Sequence, residues 1–288
     1  MKLALGTAQF GLPYGIANRE GQITRSVAKA MLQMAAVIGI DTLDTAIAYG
    51  ESETCLGETG AQRFKLVTKL PAVPDACDNI TGWINEQVSA SLGRLGVHSV
   101  YGLLLHRPEQ LLGTNGKELF QSLQDLKKNK LVQKIGISIY TPSELEALIP
   151  LYRFDLLQAP FNLIDRRLST SGWLQRLKQE GVEIHTRSAF LQGLLLMSRS
   201  EIPTKFAQWG ELWDKWHDWL AHQPVTAVQA CLAYPLSFPE IDRVVVGADS
   251  KDQLGQIIGS AVNLVPYAFP DLYCEDENLI NPARWSQL

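Results

Sequence analysis

Cysteine is scarce in this chain, and what there is forms no motif. Cys55, Cys77, Cys231 and Cys274 include no CxxC pair, and no histidine completes a metal-ligand spacing beside any of them. A zinc finger or a thioredoxin-type redox centre is thereby excluded, leaving reduced thiols, no metal site and a cytoplasmic setting. Long apolar runs are missing as well: none reaches the roughly 20 residues of a membrane span. The opening Met1-Lys2-Leu3-Ala4-Leu5-Gly6-Thr7 turns polar too soon for a secretory signal. Positive charge is not in excess either. With a net charge of −4, the chain's overall field gives no help in binding nucleic acid or an anionic membrane, so neither partner is expected. Its densest basic group, Lys127, Lys128 and Lys130, ends a helical stretch, where cations suit the helix dipole. Finally there is no G-x-G-x-x-G, so a Rossmann-type dinucleotide loop is excluded.

What the chain does contain is a repeating alternation. Hydrophobic residues make up 46% of the 288 residues and charged residues 19%, enough for a large core and against disorder. Short β-rich runs begin near Leu3, Ile40, Phe64, Ser99, Val132, Leu156, Val182 and Val244, and an amphipathic stretch follows each. In the first such stretch Val27, Met31, Met34 and Ile38 recur at helical spacing. The sixth is expected to run as one helix over 167–179. Strands alternating with helices make a parallel sheet, and nearly continuous apolar strands mean both faces are covered. Eight units, in a length close to the ~250 residues typical of the fold, predict an α/β (β/α)8 TIM barrel forming one domain over residues 1–288. One segment departs from the alternation, an insertion over 194–224 after strand seven. It carries Phe206, Trp209, Trp213, Trp216 and Leu220 at helical spacing. These form either an aromatic lid or, as aromatic stripes more often do, a face packed on the barrel.

Barrel chemistry sits where strands end and the following loops begin. Strand two ends in Asp44, with Tyr49 in its loop; strand three ends in Lys69 and strand four in His106. Strand five ends in Ser138, strand six in Gln158, and strand seven near Arg187 and Ser188. Singly, each has an ordinary reading, such as a cap for Asp44 or a solvated strand end for Lys69. Together, four complementary groups end three successive strands. A phenol is too weak an acid to shuttle protons at neutral pH unless a nearby ammonium favours its phenolate. A carboxylate orients that ammonium, and an imidazole can hydrogen-bond a carbonyl. This set suits protonation of an oxyanion as hydride reaches carbon.

The arrangement resembles the aldo-keto reductase superfamily. Asp44-Thr45-Ala46-Ile47-Ala48-Tyr49-Gly50 is similar to its D-T-A-x-x-Y-G signature, Val67-Thr68-Lys69 to its lysine motif, and Leu103-Leu104-Leu105-His106-Arg107-Pro108 to its histidine motif. Leu5-Gly6-Thr7-Ala8, Ile135-Gly136-Ile137-Ser138 and Gln158-Ala159-Pro160-Phe161-Asn162 resemble further family segments, in chain order. The resemblance implies Tyr49 as proton donor, with Asp44, Lys69 and His106 completing a tetrad that reduces an aldehyde or ketone. It implies a cofactor lying across the barrel mouth, with Ser138 and Gln158 on its nicotinamide carboxamide. Gly6, Thr7, Arg187, Ser188, Gly247, Ser250, Lys251 and Gln253 are its other expected contacts. NADP(H) is the family's usual form, with NAD(H) the alternative. A small-molecule carbonyl compound is the expected partner. The opening Leu5-Gly6-Thr7-Ala8-Gln9-Phe10-Gly11 is similar to a bacterial subset, which suggests a sugar-derived carbonyl.

Three departures from the pattern matter. Ile139 follows Ser138 where many members carry a second amide ligand. Arg187 stands where many stack a tyrosine on the nicotinamide. The loop 247–253 holds Asp249 and Asp252 where a cation for a 2′-phosphate is often found. Carboxylates there suit a free 2′-hydroxyl better. A reading of another class is a nicotinamide-binding sensor or regulatory subunit that turns over little. A third is an unrelated barrel lyase with a phosphate site after strands seven and eight. The loop 106–116, the insertion and the tail 265–288 are the expected walls of the substrate pocket.

Overall fold

Eight short strands, most of them rich in aliphatic residues, pair edge to edge, and the last closes on the first. The computed structural model describes residues 1–262 and 267–288. Its strands are β1 (Leu3–Gly6), β2 (Thr42–Asp44), β3 (Lys65–Leu70), β4 (Val100–Leu105), β5 (Val132–Ser138), β6 (Leu156–Pro160), β7 (Glu183–Arg187) and β8 (Arg243–Val246). Every pairing is parallel, and β1 pairs with β8 through Leu3 opposite Val244 to close the barrel. The chain is therefore the single-domain (β/α)8 barrel that the alternation predicts.

The outer helices include α1 (Arg25–Ile38), α2 (Ser52–Thr59), α3 (Ile80–Leu95), α4 (Gly116–Lys128) and α5 (Ser143–Leu148). In α1, Ala28, Met31, Leu32 and Ala35 face the barrel and are fully buried. Thr24 caps its first turn by accepting from the Val27 N–H, which satisfies one otherwise unpaired donor. The stretch expected as one helix over 167–179 is two, α6 (Arg167–Thr170) and α7 (Trp173–Gln179). Gly172 sits between them at φ +78°, a left-handed conformation that no continuing helix contains and that glycine adopts at little cost.

The insertion folds into 3-10 turns and α8 (Gly210–Ala221), before α9 (Ala227–Leu236) and α10 (Lys251–Val262) resume the barrel. Trp213 and Trp216 of α8 are fully buried. Their indole N–H groups donate to the Phe206 and Leu195 carbonyls at 3.0 and 3.1 Å. Phe206 meets Trp285 of the C-terminal segment edge-on, with centroids 4.9 Å apart. The tryptophan stripe is thus packed against the rest of the chain. No helix among the described residues is long and apolar enough to cross a membrane.

A polar network fills the end of the barrel where the strands begin. The Glu183 carboxylate accepts from the Tyr101 hydroxyl at 2.6 Å and the His185 Nε2 at 2.7 Å, and pairs with the Lys134 ammonium. These hydrogen bonds hold the Glu183 carboxyl well below the usual carboxylate range, against the opposing effect of burial. A depressed carboxyl adds stability above its unfolded pKa and loses it as pH falls toward the folded value. Glu183→Ala is expected to lower stability at pH 7 by about 2–3 kcal/mol, the low side for a broken buried pair because Lys134 is partly exposed. The deficit relative to wild type should shrink as pH falls below about 4. Urea denaturation at pH 7 and pH 3 checks both parts. Equal deficits at the two pH values would mean that the side chain contributes by packing alone.

Candidate functional site

At the opposite end of the barrel, β2, β3, β6 and β7 deliver four polar side chains to one place. Asp44 ends β2, and both its oxygens are engaged. Oδ2 accepts from the Lys69 ammonium at 2.7 Å, and Oδ1 accepts from the Gln158 amide at 2.6 Å. Lys69 also donates to the Thr45 carbonyl at 2.9 Å. Both members of the ion pair are almost wholly buried. Burial pulls the proton affinity of Lys69 down, and Asp44 beside it pushes the other way.

Tyr49 lies above this pair. The Lys69 ammonium is 5.2 Å from the centre of its ring. His106 meets the same ring edge-on, with centroids 6.1 Å apart. Burial and the adjacent Asp44 raise the pKa of Tyr49 above its ordinary value, and only the Arg187 guanidinium opposes them among the leading causes. The expectation that an ammonium brings this phenol's pKa down is therefore not met in the resting site. Burial outweighs the nearby cations, and Tyr49 rests as a protonated donor. His106 is pushed down to about 4, first by burial and then by the cations Lys69 and Arg187. Its imidazole is neutral at physiological pH.

The loop that carries Tyr49 is anchored from below. Ser52, the first residue of α2, donates to the Thr7 carbonyl at 2.8 Å, and its oxygen lies 3.0 Å from the hydroxyls of both Thr7 and Thr45. Next to it, the wholly buried Glu53 carboxylate accepts from Thr68, Ser91 and both ends of the Arg94 fork. A buried carboxylate satisfied this completely pins α2 to β3 and α3. Gly11 completes the anchor. A Cβ there would lie 1.9 Å from the Tyr49 carbonyl oxygen, so only glycine lets the loop after β1 approach so closely. Sequence reading passed over Ser52 and Glu53, whose only signal was a small and an acidic residue at the start of a short helix, and named Gly11 only as part of the opening segment.

A groove of about 420 Å³ runs from Tyr49, Asp44 and Gln158 to Gly247, Asp249, Gln253 and Gln256 at the far side of β8. Of the expected cofactor contacts, Gly6, Thr7, Gln158, Arg187, Ser188, Gly247 and Gln253 line it. Ser138, Ser250 and Lys251 do not. Ser138 is buried one strand over, in register with Gln158. Ser250 instead caps α10 by accepting from the Gln253 N–H at 3.2 Å, and Lys251 is exposed. Lys69 and His106 adjoin Tyr49 but do not themselves line the groove. Of the insertion over 194–224, Leu196 alone reaches the groove, and α8 does not. The loop 106–116 and the described part of the tail contribute nothing to it, while Val265 and Pro266 of the tail lie outside the described residues.

One buried atom of a side chain that lines this groove is unsatisfied. Gln158 is fully buried, and its Oε1 has no hydrogen-bond partner. Asp44 can only accept, so it holds the NH2 end of the amide and leaves the oxygen unpaired. A buried carbonyl oxygen without a donor costs about 1–3 kcal/mol, which a ligand carrying an N–H would recover. At the rim, Arg187 donates to the Ile139 carbonyl at 3.0 Å and to the Ser188 hydroxyl at 3.2 Å, with its guanidinium 4.7 Å from the centre of the Tyr140 ring. A strap from the loop after β1 crosses above. The Tyr14 hydroxyl accepts from the Gln192 amide at 3.1 Å, and the Asn18 amide donates to Asp249 at 3.1 Å.

Comparison with known proteins places this arrangement among relatives. Residues 2–272 match the model of the Aldo/keto reductase family. A 6-dehydroglucose reductase from Agrobacterium fabrum is 30% identical over 138 residues, covering 42% of this chain and 46% of that protein. The match thus spans less than half the length of this curated relative. An aldo-keto reductase from Bacillus halodurans superimposes in its holo form with a TM-score of 0.72 at 21% identity, over 94% of this chain and 89% of the other. Its apo form gives 0.69 at 18% identity, over 96% and 94%. At such identities these two structures speak to the fold.

Proposed function

The chain belongs to the aldo/keto reductase family and is accordingly an oxidoreductase, and from that premise we propose that it reduces an aldehyde or ketone to an alcohol with NAD(P)H, Tyr49 supplying the proton. The observation that carries the reading is the unpaired Gln158 Oε1 beside Asp44, Lys69 and Tyr49 at one end of the groove. A nicotinamide carboxamide brings the N–H donor that this oxygen lacks, so the residues present fit the cofactor. Gln158 would hold the carboxamide, Gly6, Thr7 and Ser188 the adjoining walls, and Gly247 and Gln253 the distal part. The bound cofactor supplies hydride.

The chain's own groups do the rest. Tyr49 holds its proton until negative charge grows on the substrate oxygen, because burial keeps the phenol un-ionised. The neutral His106 imidazole hydrogen-bonds the same oxygen and orients the carbonyl. As the phenol loses its proton, the Lys69 ammonium near its ring stabilises the phenolate that remains, and Asp44 keeps that ammonium in place. The substrate class we put forward is a sugar-derived carbonyl, in keeping with the opening segment and with the relative named for 6-dehydroglucose.

A pH profile separates the neutral histidine from an ordinary one. With its pKa near 4, His106 keeps one protonation state between about pH 5 and 8, where an unperturbed imidazole would titrate. The kcat profile for reduction is expected to be flat through about pH 6.5. An inflection there that disappears in His106→Gln would contradict the neutral imidazole.

A further inference from the structure

The far end of the groove decides which nicotinamide dinucleotide the chain takes, and we propose that Asp249 makes it an NADH enzyme by accepting the adenosine ribose hydroxyls. The inference rests on the proposed function for its orientation. If hydride is delivered beside Tyr49, the nicotinamide lies at the Asp44–Gln158 end and the adenosine half at the β8 end, where the groove is lined by Gly247, Asp249, Gln253 and Gln256.

The chemistry of that end is one-sided. Asp249 lies on the groove, half-buried, with the Asn18 amide donating to Oδ1 at 3.1 Å and the Gln9 amide beside it. A carboxylate can accept about four hydrogen bonds, so capacity remains for a vicinal diol. Its own backbone N–H is already taken by Gln253 Oε1 at 2.8 Å. Glu20 adds a second negative charge nearby and, with burial, pushes the pKa of Asp249 upward. A 2′-phosphate would bring up to about two further negative charges against these carboxylates.

Among the described residues, no cation lines this end of the groove. Among the described residues lining the groove, Arg187 is the only cation, and it stands at the Tyr49 end, tied to Ile139 and Ser188. Lys251 is exposed and off the groove. Arg19, the basic residue of the strap, is paired with Glu201 at 3.2 Å. The N-terminus of α10 attracts negative charge, but Asp249 and Asp252 already supply it. The strap adds selectivity of shape: through Asn18 it holds the carboxylate over the groove, so the acidic group is fixed rather than free to turn away.

Titration of the tryptophan fluorescence of the full chain with NADH and with NADPH tests the proposal, using wild type, Asp249→Asn, Asp249→Arg and Lys251→Ala. NADH is expected to bind about tenfold more tightly than NADPH to wild type. Asp249→Asn should narrow the gap, Asp249→Arg should reverse it, and Lys251→Ala should leave it unchanged. NADPH binding as tightly as NADH or tighter in wild type would overturn the proposal while leaving the proposed reductase function intact. Failure of both dinucleotides to bind would overturn that function, and the present inference with it.

Discussion

Replacing Tyr49 by phenylalanine is expected to cut carbonyl reduction by about two to four orders of magnitude while dinucleotide affinity stays near the wild-type value. The ring is retained, so its edge contact with His106 and its position over Lys69 survive. What disappears is the single proton aimed at the substrate oxygen. His106 cannot replace it readily, because its imidazole is held neutral and its cationic form is costly beside Lys69 and Arg187. The check is a pair of measurements on one preparation: steady-state reduction of a short aldehyde and fluorescence titration with the dinucleotide. Wild-type turnover by the phenylalanine variant would remove Tyr49 from the chemistry. A matching loss of dinucleotide affinity would assign it to binding instead.

Lys69→Met should have the next largest effect, and it should act on two observables. An ammonium 5.2 Å from the centre of the ring, at an effective dielectric constant near 20, is worth roughly 3 kcal/mol to a phenolate charge spread over that ring, or about two decades in rate. The same change leaves Asp44 buried without its cation, which costs about 3–5 kcal/mol of stability unless the carboxyl takes up a proton. The two effects separate in the double variant Lys69→Met with Asp44→Asn. Thermal stability should recover there because no buried charge is stranded, while the rate stays low because the phenolate still lacks its cation. Recovery of both would mean that Lys69 matters only as the partner of Asp44.

The alternation of apolar runs and amphipathic helices made the barrel legible, since a parallel strand buried on both faces has few other readings. The meeting of Asp44, Tyr49, Lys69 and His106 at one end of the barrel was legible for a related reason: a polar residue ending an apolar strand stands out, as Lys69 and His106 do. Gln158 was visible as a strand end, but not its unpaired oxygen, which follows from the contact with Asp44 across 114 residues of chain. The break at Gly172 had a faint signal in the apolar phase: Leu168 stands six residues before Leu174 and nine before Leu177, spacings that do not return to one helical face. The resting state of Tyr49 was misjudged because burial cannot be weighed against charge from spacing alone. The strap was invisible for the same reason that most loops are. Its partners, Gln192 and Asp249, are brought to Tyr14 and Asn18 by the closure of the barrel. The turn that presents Gln192 has an unusual backbone, with Ser188, Leu191 and Gln192 all at positive φ.

The central claim is that this site moves a hydride from a nicotinamide to a carbonyl carbon, and isotopic labelling tests it most directly. Wild-type protein is incubated with dinucleotide deuterated at the reactive nicotinamide carbon and with a short sugar-derived aldehyde, and the alcohol is analysed by mass spectrometry. One deuterium on the carbinol carbon, with the yield of that alcohol cut by about two to four orders of magnitude when Tyr49→Phe is used, is the predicted result. Tight binding of the dinucleotide with no labelled alcohol across a panel of aldehydes and ketones would contradict the account and mark the chain as a nicotinamide-binding sensor.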